Sequence, residues 1–160
     1  MMGTQKSAIS PVSGAQHPAS QTVVRQALES AGCRYTAQRG AVYAHLAAVD
    51  THPTVEEVYR AVKRKLPRIS LATVYKALEA LVESQLATKL TNGDAAARYD
   101  WRHEDHYHLR DLVTGEIRDL AVEYDPDLLT KIDPSLHDKL ARSGFQVTGY
   151  RLEVLGHFAR

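Results

Sequence analysis

The sequence predicts an α+β protein, with an N-terminal winged helix-turn-helix followed by a small α/β domain. Three observations carry this. Residues 22–84 divide into four helical stretches, each opened by a Ser or Thr that can cap it. Asn92-Gly93 then joins two short alternating runs, a strong hairpin signal. Beyond residue 101, strand-like runs alternate with Asp-Pro pairs of the kind that open helices.

In chain order, Thr22 caps a first helix through Ala31, with Gly32 as its stop. Thr36 caps a second helix, with Val42, Tyr43, Leu46 and Val49 at helical spacing. Thr54 opens a third. Thr54 and Glu57 fit a capping box, in which hydroxyl and carboxylate each satisfy the other's free N–H. Val55, Val58, Tyr59 and Val62 form its buried face, and Pro67 bars its extension. Ser70 caps a fourth helix over residues 71–84, with Val74, Leu78 and Leu81 inward. Residues 86–91 and 97–101 are the two strands of the wing. Residues 106–112 and 116–122 read as strands around a Thr114-Gly115 turn. Asp125-Pro126 and Asp133-Pro134 start two helices as Asp N-caps with Pro at the first helical position, and Gly144 ends the second. Residues 146–155 are a last strand. This second half is too small to cover both faces of its own sheet, which dimerisation would remedy.

The expected organisation is a flexible tail at 1–20, a winged-helix domain at 21–101 and a dimerisation and sensing domain at 102–160. A hydrophobic share of 44% and a charged share of 24% place the chain among soluble globular proteins. No apolar run approaches the ~20 residues of a membrane span, and the first residues lack the apolar core of a secretory signal. A cytoplasmic address without membrane association is therefore expected. Cys33 is the single cysteine, which excludes an intrachain disulfide and a multi-cysteine zinc site within one subunit. It reads as a small, partly buried apolar residue.

Net charge is +1 and does not point to nucleic acid, but local charge does. Residues 58–78 hold Arg60, Lys63, Arg64, Lys65, Arg68 and Lys76 and no acid, a positive field suited to phosphates. The fourth helix begins Ser70-Leu71-Ala72-Thr73-Val74-Tyr75-Lys76. It offers Ala72, Thr73, Tyr75 and Lys76, small or hydrogen-bonding groups that fit a major groove. Lys89 in the wing is placed for a flanking phosphate.

Residues 98–119 are unusually dense in metal-binding side chains. His106 and His108 are two apart, so on a strand both imidazoles face one side. Asp100 and Asp119 flank them. Imidazole and carboxylate without thiolate suit Fe(II) or Mn(II), and accept Zn(II). His103 and His157 read as a solvated loop histidine and a structural one; His17 and His45 are assigned no role.

Four stretches together resemble the ferric uptake regulator family, and within it the peroxide-sensing PerR type. They are Tyr35-Thr36-Ala37-Gln38-Arg39, residues 52–59 (HPTVEEVY), residues 70–78 (SLATVYKAL), and Asp105-His106-Tyr107-His108 with Gly115 and Asp119. The resemblance covers about residues 26–157. It implies one divalent ion per subunit, held by His52, Asp100, His106, His108 and Asp119 between the two domains. It implies a homodimeric repressor on palindromic, A·T-rich operator DNA. Tyr75 matches the family's base-contacting tyrosine, Lys76 stands for a frequent Arg, and Arg39 meets backbone phosphate. Asp100 in place of Glu is similar to the peroxide-sensing members, in which a ligand histidine is oxidised; here that is His52 or His106. Two departures stand out. The positions of the first Cys-X-X-Cys pair are Asp111 and Thr114, so the family's structural zinc cannot form. Asp105, Tyr107 and Tyr150 replace a second His/Asp site. A regulator of iron, zinc, manganese or haem status, without peroxide chemistry, is the alternative on the same fold. A small cupin-like metalloenzyme using His106, His108 and an acid is a competing class, but it needs more strands than this chain offers. No catalytic residues are assigned.

Overall fold

A computed structural model describes residues 18–91, 95–102 and 104–159. The Asn92-Gly93 turn, His103, His17 and most of the expected tail lie outside the described residues. Four helices come first: α1 Gln21–Ser30, α2 Ala37–Ala48, α3 Val55–Lys65 and α4 Leu71–Glu83. Their inward faces follow from i, i+4 spacing. Val58 and Val62 of α3, and Val74, Leu78 and Leu81 of α4, are essentially inaccessible to solvent. With Leu28, Val42, Tyr43 and Leu46 they make one core, to which Leu86, Ala87 and Tyr99 of the wing are added. The wing pairs β1 Thr88–Leu90 antiparallel to β2 Arg98–Asp100, Lys89 opposite Tyr99.

The caps explain where the helices begin. Thr36 and Ser70 accept from the N–H groups of Arg39 and Thr73. At α3 the capping box is complete: Thr54 Oγ1 accepts from Glu57 N–H at 3.3 Å and Glu57 Oε2 from Thr54 N–H at 2.8 Å. The cap of α1 is Ser20, not Thr22, so the helix starts earlier than expected. Gly32 follows α1 with φ 74°, the left-handed stop that glycine allows.

The second half contains β3 His108–Asp111, β4 Ile117–Asp119, α5 Leu128–Ile132, α6 Leu136–Arg142 and β5 Glu153–Gly156. Its sheet has the order β4-β3-β5, antiparallel between β3 and β4 and parallel between β3 and β5. Every strand is shorter than the alternation suggested. Leu86 and Ala87 give their N–H groups to Leu81 C=O, extending the end of α4. Leu120 N–H still bonds Tyr107 C=O in the β3–β4 register, but Val122 N–H turns back to Leu120 C=O, and the pairing ends there. The Asp-Pro pairs also act differently from expectation. Asp125 accepts from Asp127 N–H and Asp133 from Ser135 N–H, closing Asx turns, so the helices start at Leu128 and Leu136. Gly144, with φ 80°, does end α6.

Neither α5 nor α6 has a buried residue. Val113, Val122, Ile132, Phe145 and Leu155 are all more than half exposed. Such an apolar surface is the kind that a partner covers.

Asp111 occupies the position where the resemblance places the first zinc cysteine. Its Oδ1 accepts from Val113 N–H at 2.8 Å and Thr114 N–H at 2.9 Å, and its Oδ2 from Phe158 N–H at 2.9 Å. One carboxylate thus stitches the β3–β4 turn to the chain after β5. The amides of Phe158, Thr114 and Val113 hold its pKa down from 3.8 to about 2. A depressed carboxylate stabilises the fold above the unfolded pKa and ceases to as pH falls through the folded one. Asp111→Ala is therefore expected to lower the thermal midpoint at pH 7, and the gap to wild type should close as pH falls from about 4 towards 2, read by circular dichroism.

Candidate metal centre and nucleic-acid interface

Four backbone segments meet between the winged helix and the second sheet. Residues 51–54 run between them: His52 N–H donates to Ile117 C=O, and Pro53 C=O accepts from Tyr99 N–H. Isolated bridges pair Thr51 with Arg118 and Thr54 with Arg98. Arg98 Nη1 donates to His52 C=O at 2.9 Å. His52 is therefore held from both sides. Asp100 ends β2. His108 and Asp119 are directly opposed across β3 and β4, so they share a face. His106 lies just before β3 rather than on it, and its ring still turns towards His108, with centroids 4.5 Å apart.

The five side chains His52, Asp100, His106, His108 and Asp119 each offer one ligand atom, all within 4.8 Å of one another. Two ligands of one ion at bonds of about 2.0–2.2 Å are at most about 4.4 Å apart, so a small contraction closes the set. His52, Asp100 and His108 are buried, and His106 and Asp119 are partly so.

The charge distribution favours a cation. His106 Nδ1 lies 2.6 Å from Glu104 C=O and so carries its proton there. In a neutral ring, Nε2 then turns a lone pair towards Asp100 Oδ2 at 3.0 Å and Asp119 Oδ1 at 3.1 Å, acceptor against acceptors. Among the described residues, His106 Nε2 and both nitrogens of His108 are buried without a hydrogen-bond partner. His52 Nε2 meets Asp119 Oδ1 at 2.8 Å. Either an extra proton or a metal ion resolves the contact at His106 Nε2. Burial pulls the His106 pKa down, but Asp100 and Asp119 outweigh it and raise it to about 10. Burial raises the pKa of Asp100 and of Asp119, and their imidazole partners overcome it, so both carboxyls lie far below the usual range. The donor set of imidazole nitrogens and carboxylate oxygens fits Fe(II), Mn(II) or Zn(II).

At the positions of the broken second site, tyrosines bond to one another. Tyr107 Oη and Tyr150 Oη are 2.8 Å apart, Tyr150 donates to Asp125 C=O, and Tyr124 stacks on Tyr150.

Of the residues expected to contact DNA, Ala72, Tyr75 and Lys76 are exposed on the first turns of α4, while Thr73 is half-buried. Ser70 Oγ is engaged as the cap and lies 2.8 Å from Thr73 Oγ1. Arg60, Lys63, Arg64, Lys65 and Arg68 are exposed on and after α3. Arg39 is half-buried and donates to Arg34 C=O.

Sequence reasoning passed over Arg98, Arg102 and the Glu104 carbonyl. A pattern of ligand types carries no signal for the groups that orient ligands. His157 is exposed, and Cys33 is half-buried with Sγ 3.5 Å from a Glu83 carboxylate oxygen.

The profile of the ferric uptake regulator family matches residues 30–155. The chain belongs to this family. It is 37% identical over 131 residues to the peroxide operon regulator of Bacillus subtilis, covering 82% of this chain and 86% of that protein. It is 33% identical over 129 residues to the peroxide-responsive repressor PerR of Staphylococcus aureus, covering 81% and 82%. Among solved structures it superposes on a zinc-bound manganese uptake regulator with TM-score 0.62 and 27% identity, covering 85% of this chain and 98% of that one. It superposes on the Campylobacter jejuni peroxide stress regulator with TM-score 0.56 and 25% identity, covering 87% and 96%.

With the His106 pKa at about 10, the free site carries a proton at neutral pH that an ion must displace. Mn(II) binding should therefore release about one proton per site, and apparent affinity should rise about tenfold per pH unit between roughly pH 6 and 9. Titration calorimetry in buffers of different ionisation enthalpy measures both. His106→Ala or Asp119→Ala should each weaken binding by more than the roughly 10–100-fold that loss of an orienting partner costs.

Proposed function

We propose that this chain is a metal-dependent transcriptional repressor, not an enzyme, that binds palindromic, A·T-rich operator DNA as a homodimer and responds to peroxide. The reading rests on one observation above others: side chains from residues 52 and 100, on the winged-helix side, meet those of 106, 108 and 119 at one point. The named relatives that respond to peroxide support it. Residues 21–101 read DNA and residues 102–160 dimerise and sense. The exposed apolar residues of the second half form the dimer face.

One divalent ion per subunit, Fe(II) or Mn(II) by preference and Zn(II) as an acceptable substitute, is held by His52, Asp100, His106, His108 and Asp119. No cysteine zinc accompanies it. The five ligands then fix the two halves in one relation. In a dimer, that relation sets the spacing of the two α4 helices to a palindrome. Tyr75, Lys76, Thr73 and Ala72 read the groove; Ser70 and Arg39 fix the helix and the backbone register. When bound, ferrous iron supplies the electrons that turn peroxide into an oxidant within the site. Oxidation of the imidazole of His52 or His106 removes one tie between the halves and releases the operator. Among the described residues no helix is long and apolar enough to cross a membrane, and the setting proposed is the cytoplasm.

The likeness to a zinc-bound manganese uptake regulator favours a second reading, a regulator of iron, zinc/manganese or haem status without peroxide chemistry. Anaerobic fluorescence anisotropy on a palindromic operator separates them. The proposal expects tight binding with Mn(II) or Fe(II), loss with chelator, and loss after peroxide with Fe(II) only. Metal-dependent binding that ignores peroxide selects the second reading; binding that ignores chelator contradicts both. Tyr75→Ala should cost about 1–3 kcal/mol of operator binding at unchanged metal affinity.

A further inference from the structure

Arg102, in the short connection after β2, touches both carboxylates of the candidate centre. Its backbone N–H donates to Asp100 Oδ1 at 2.9 Å. Its guanidinium Nη1 meets Asp119 Oδ2 at 2.7 Å, the length of a charge-assisted hydrogen bond. The other oxygens lie nearer the imidazoles, Asp100 Oδ1 coming no closer than 3.8 Å to His52 Nδ1. Asp100 Oδ2 faces His106 and His108 at 3.0 and 3.7 Å, and Asp119 Oδ1 faces His52 and His106 at 2.8 and 3.1 Å. One residue therefore occupies the outer oxygen of each carboxylate and leaves the inner oxygen to the centre.

Carboxylates bind cations through one oxygen or two, and the choice sets the ligand count. We propose that Arg102 is the positioning residue that holds Asp100 and Asp119 to one donor oxygen each. This rests on the metal reading above. With both outer oxygens engaged, the protein supplies three imidazole nitrogens and two carboxylate oxygens. The centre is then five-coordinate, with a sixth position left open to a small molecule. The guanidinium contact is the restraint that a substitution can remove; the backbone N–H contact remains in any variant. The Arg102 side chain is 40% exposed, so its removal opens no cavity in the core. Without it, Asp119 is free to rotate and offer both oxygens. Arg102 thus controls ligand number without being a ligand.

The test uses Co(II) as a probe, because its visible bands weaken as coordination rises from five to six. Full-length wild type, Arg102→Ala, Arg102→Lys and Asp119→Ala are titrated with Co(II), with folding checked by circular dichroism. Wild type should take one Co(II) per subunit with intense bands. Arg102→Ala should keep that stoichiometry but lose band intensity, with an affinity shift within the roughly 10–100-fold range of orienting residues. Arg102→Lys, which retains a cation within reach of Asp119, should restore the bands at least in part. Asp119→Ala should lose tight binding. Wild-type bands and affinity in Arg102→Ala would overturn the role of Arg102 alone. Equal loss in Arg102→Ala and Arg102→Lys would also overturn it, since a cation at Asp119 would then not be the cause. Failure of wild type to bind, or intact binding in Asp119→Ala, would instead overturn the metal reading.

Discussion

Two carboxylates and three imidazoles share a pocket from which most water is excluded, and the charge on Asp100 and Asp119 must be answered there. Ionised carboxylates taken out of water are costly unless they are paired. A proton on His106 supplies part of the answer, which is why its pKa is raised. A divalent cation supplies more charge in less space and relieves the contact between the His106 lone pair and its two acceptors. The residues around the pocket are arranged for that exchange. Glu104 C=O fixes the His106 tautomer, Arg102 takes the outer oxygens, and Arg98 holds the His52 backbone.

The same Arg98 connects the pocket to the third and fourth helices. Its Nη1 also meets Glu57 Oε2 at 3.3 Å. That oxygen is the one that accepts from Thr54 N–H in the α3 capping box. The start of α3 and the position of His52 are therefore set by one shared hydrogen-bond system, only a few residues in extent. α3 packs in turn against α4, whose outer face carries Tyr75 and Lys76. On the proposed reading, a change at the pocket has a short physical route to α4. The second half differs in character. Its sheet is held by a Tyr107–Tyr150–Asp125 hydrogen-bond chain, by the Arg110–Glu153 pair and by the Asp111 stitch, while its helices and strand edges leave apolar surface open.

Local signals read well from sequence. Thr36, the Thr54/Glu57 box and Ser70 all cap where side-chain chemistry demands it, and the four helices follow. Ser20 was passed over because Thr22 was an equally good cap two residues later, and only the first helical hydrogen bonds decide between them. Strand ends were overestimated because alternation says nothing about where a ladder partner stops. The parallel pairing of β3 with β5 is a long-range contact with no local signature. His106 and His108 were read as strand neighbours sharing one face. His106 instead precedes the strand and reaches the pocket through its bond to Glu104. The ligand types were visible as a cluster of histidines and acids, and His52 came only through likeness to a family. Arg98 and Arg102 were invisible, because an arginine that meets a backbone carbonyl or a carboxylate looks like any surface arginine until its partners are placed.

The central claim is that one ion, held from both halves, fixes the relation of the two recognition helices. The most direct measurement is the distance between them. Spin labels at Glu79→Cys, an exposed site on α4, in a Cys33→Ser background, would report it by pulsed dipolar spectroscopy of the dimer with Zn(II) and with chelator. The account predicts a broad distance distribution without metal that narrows to one separation, near a helical repeat of DNA or a multiple of it, about 34–36 Å each, when the site is filled. An unchanged distribution in a protein shown to bind one ion per subunit would contradict it.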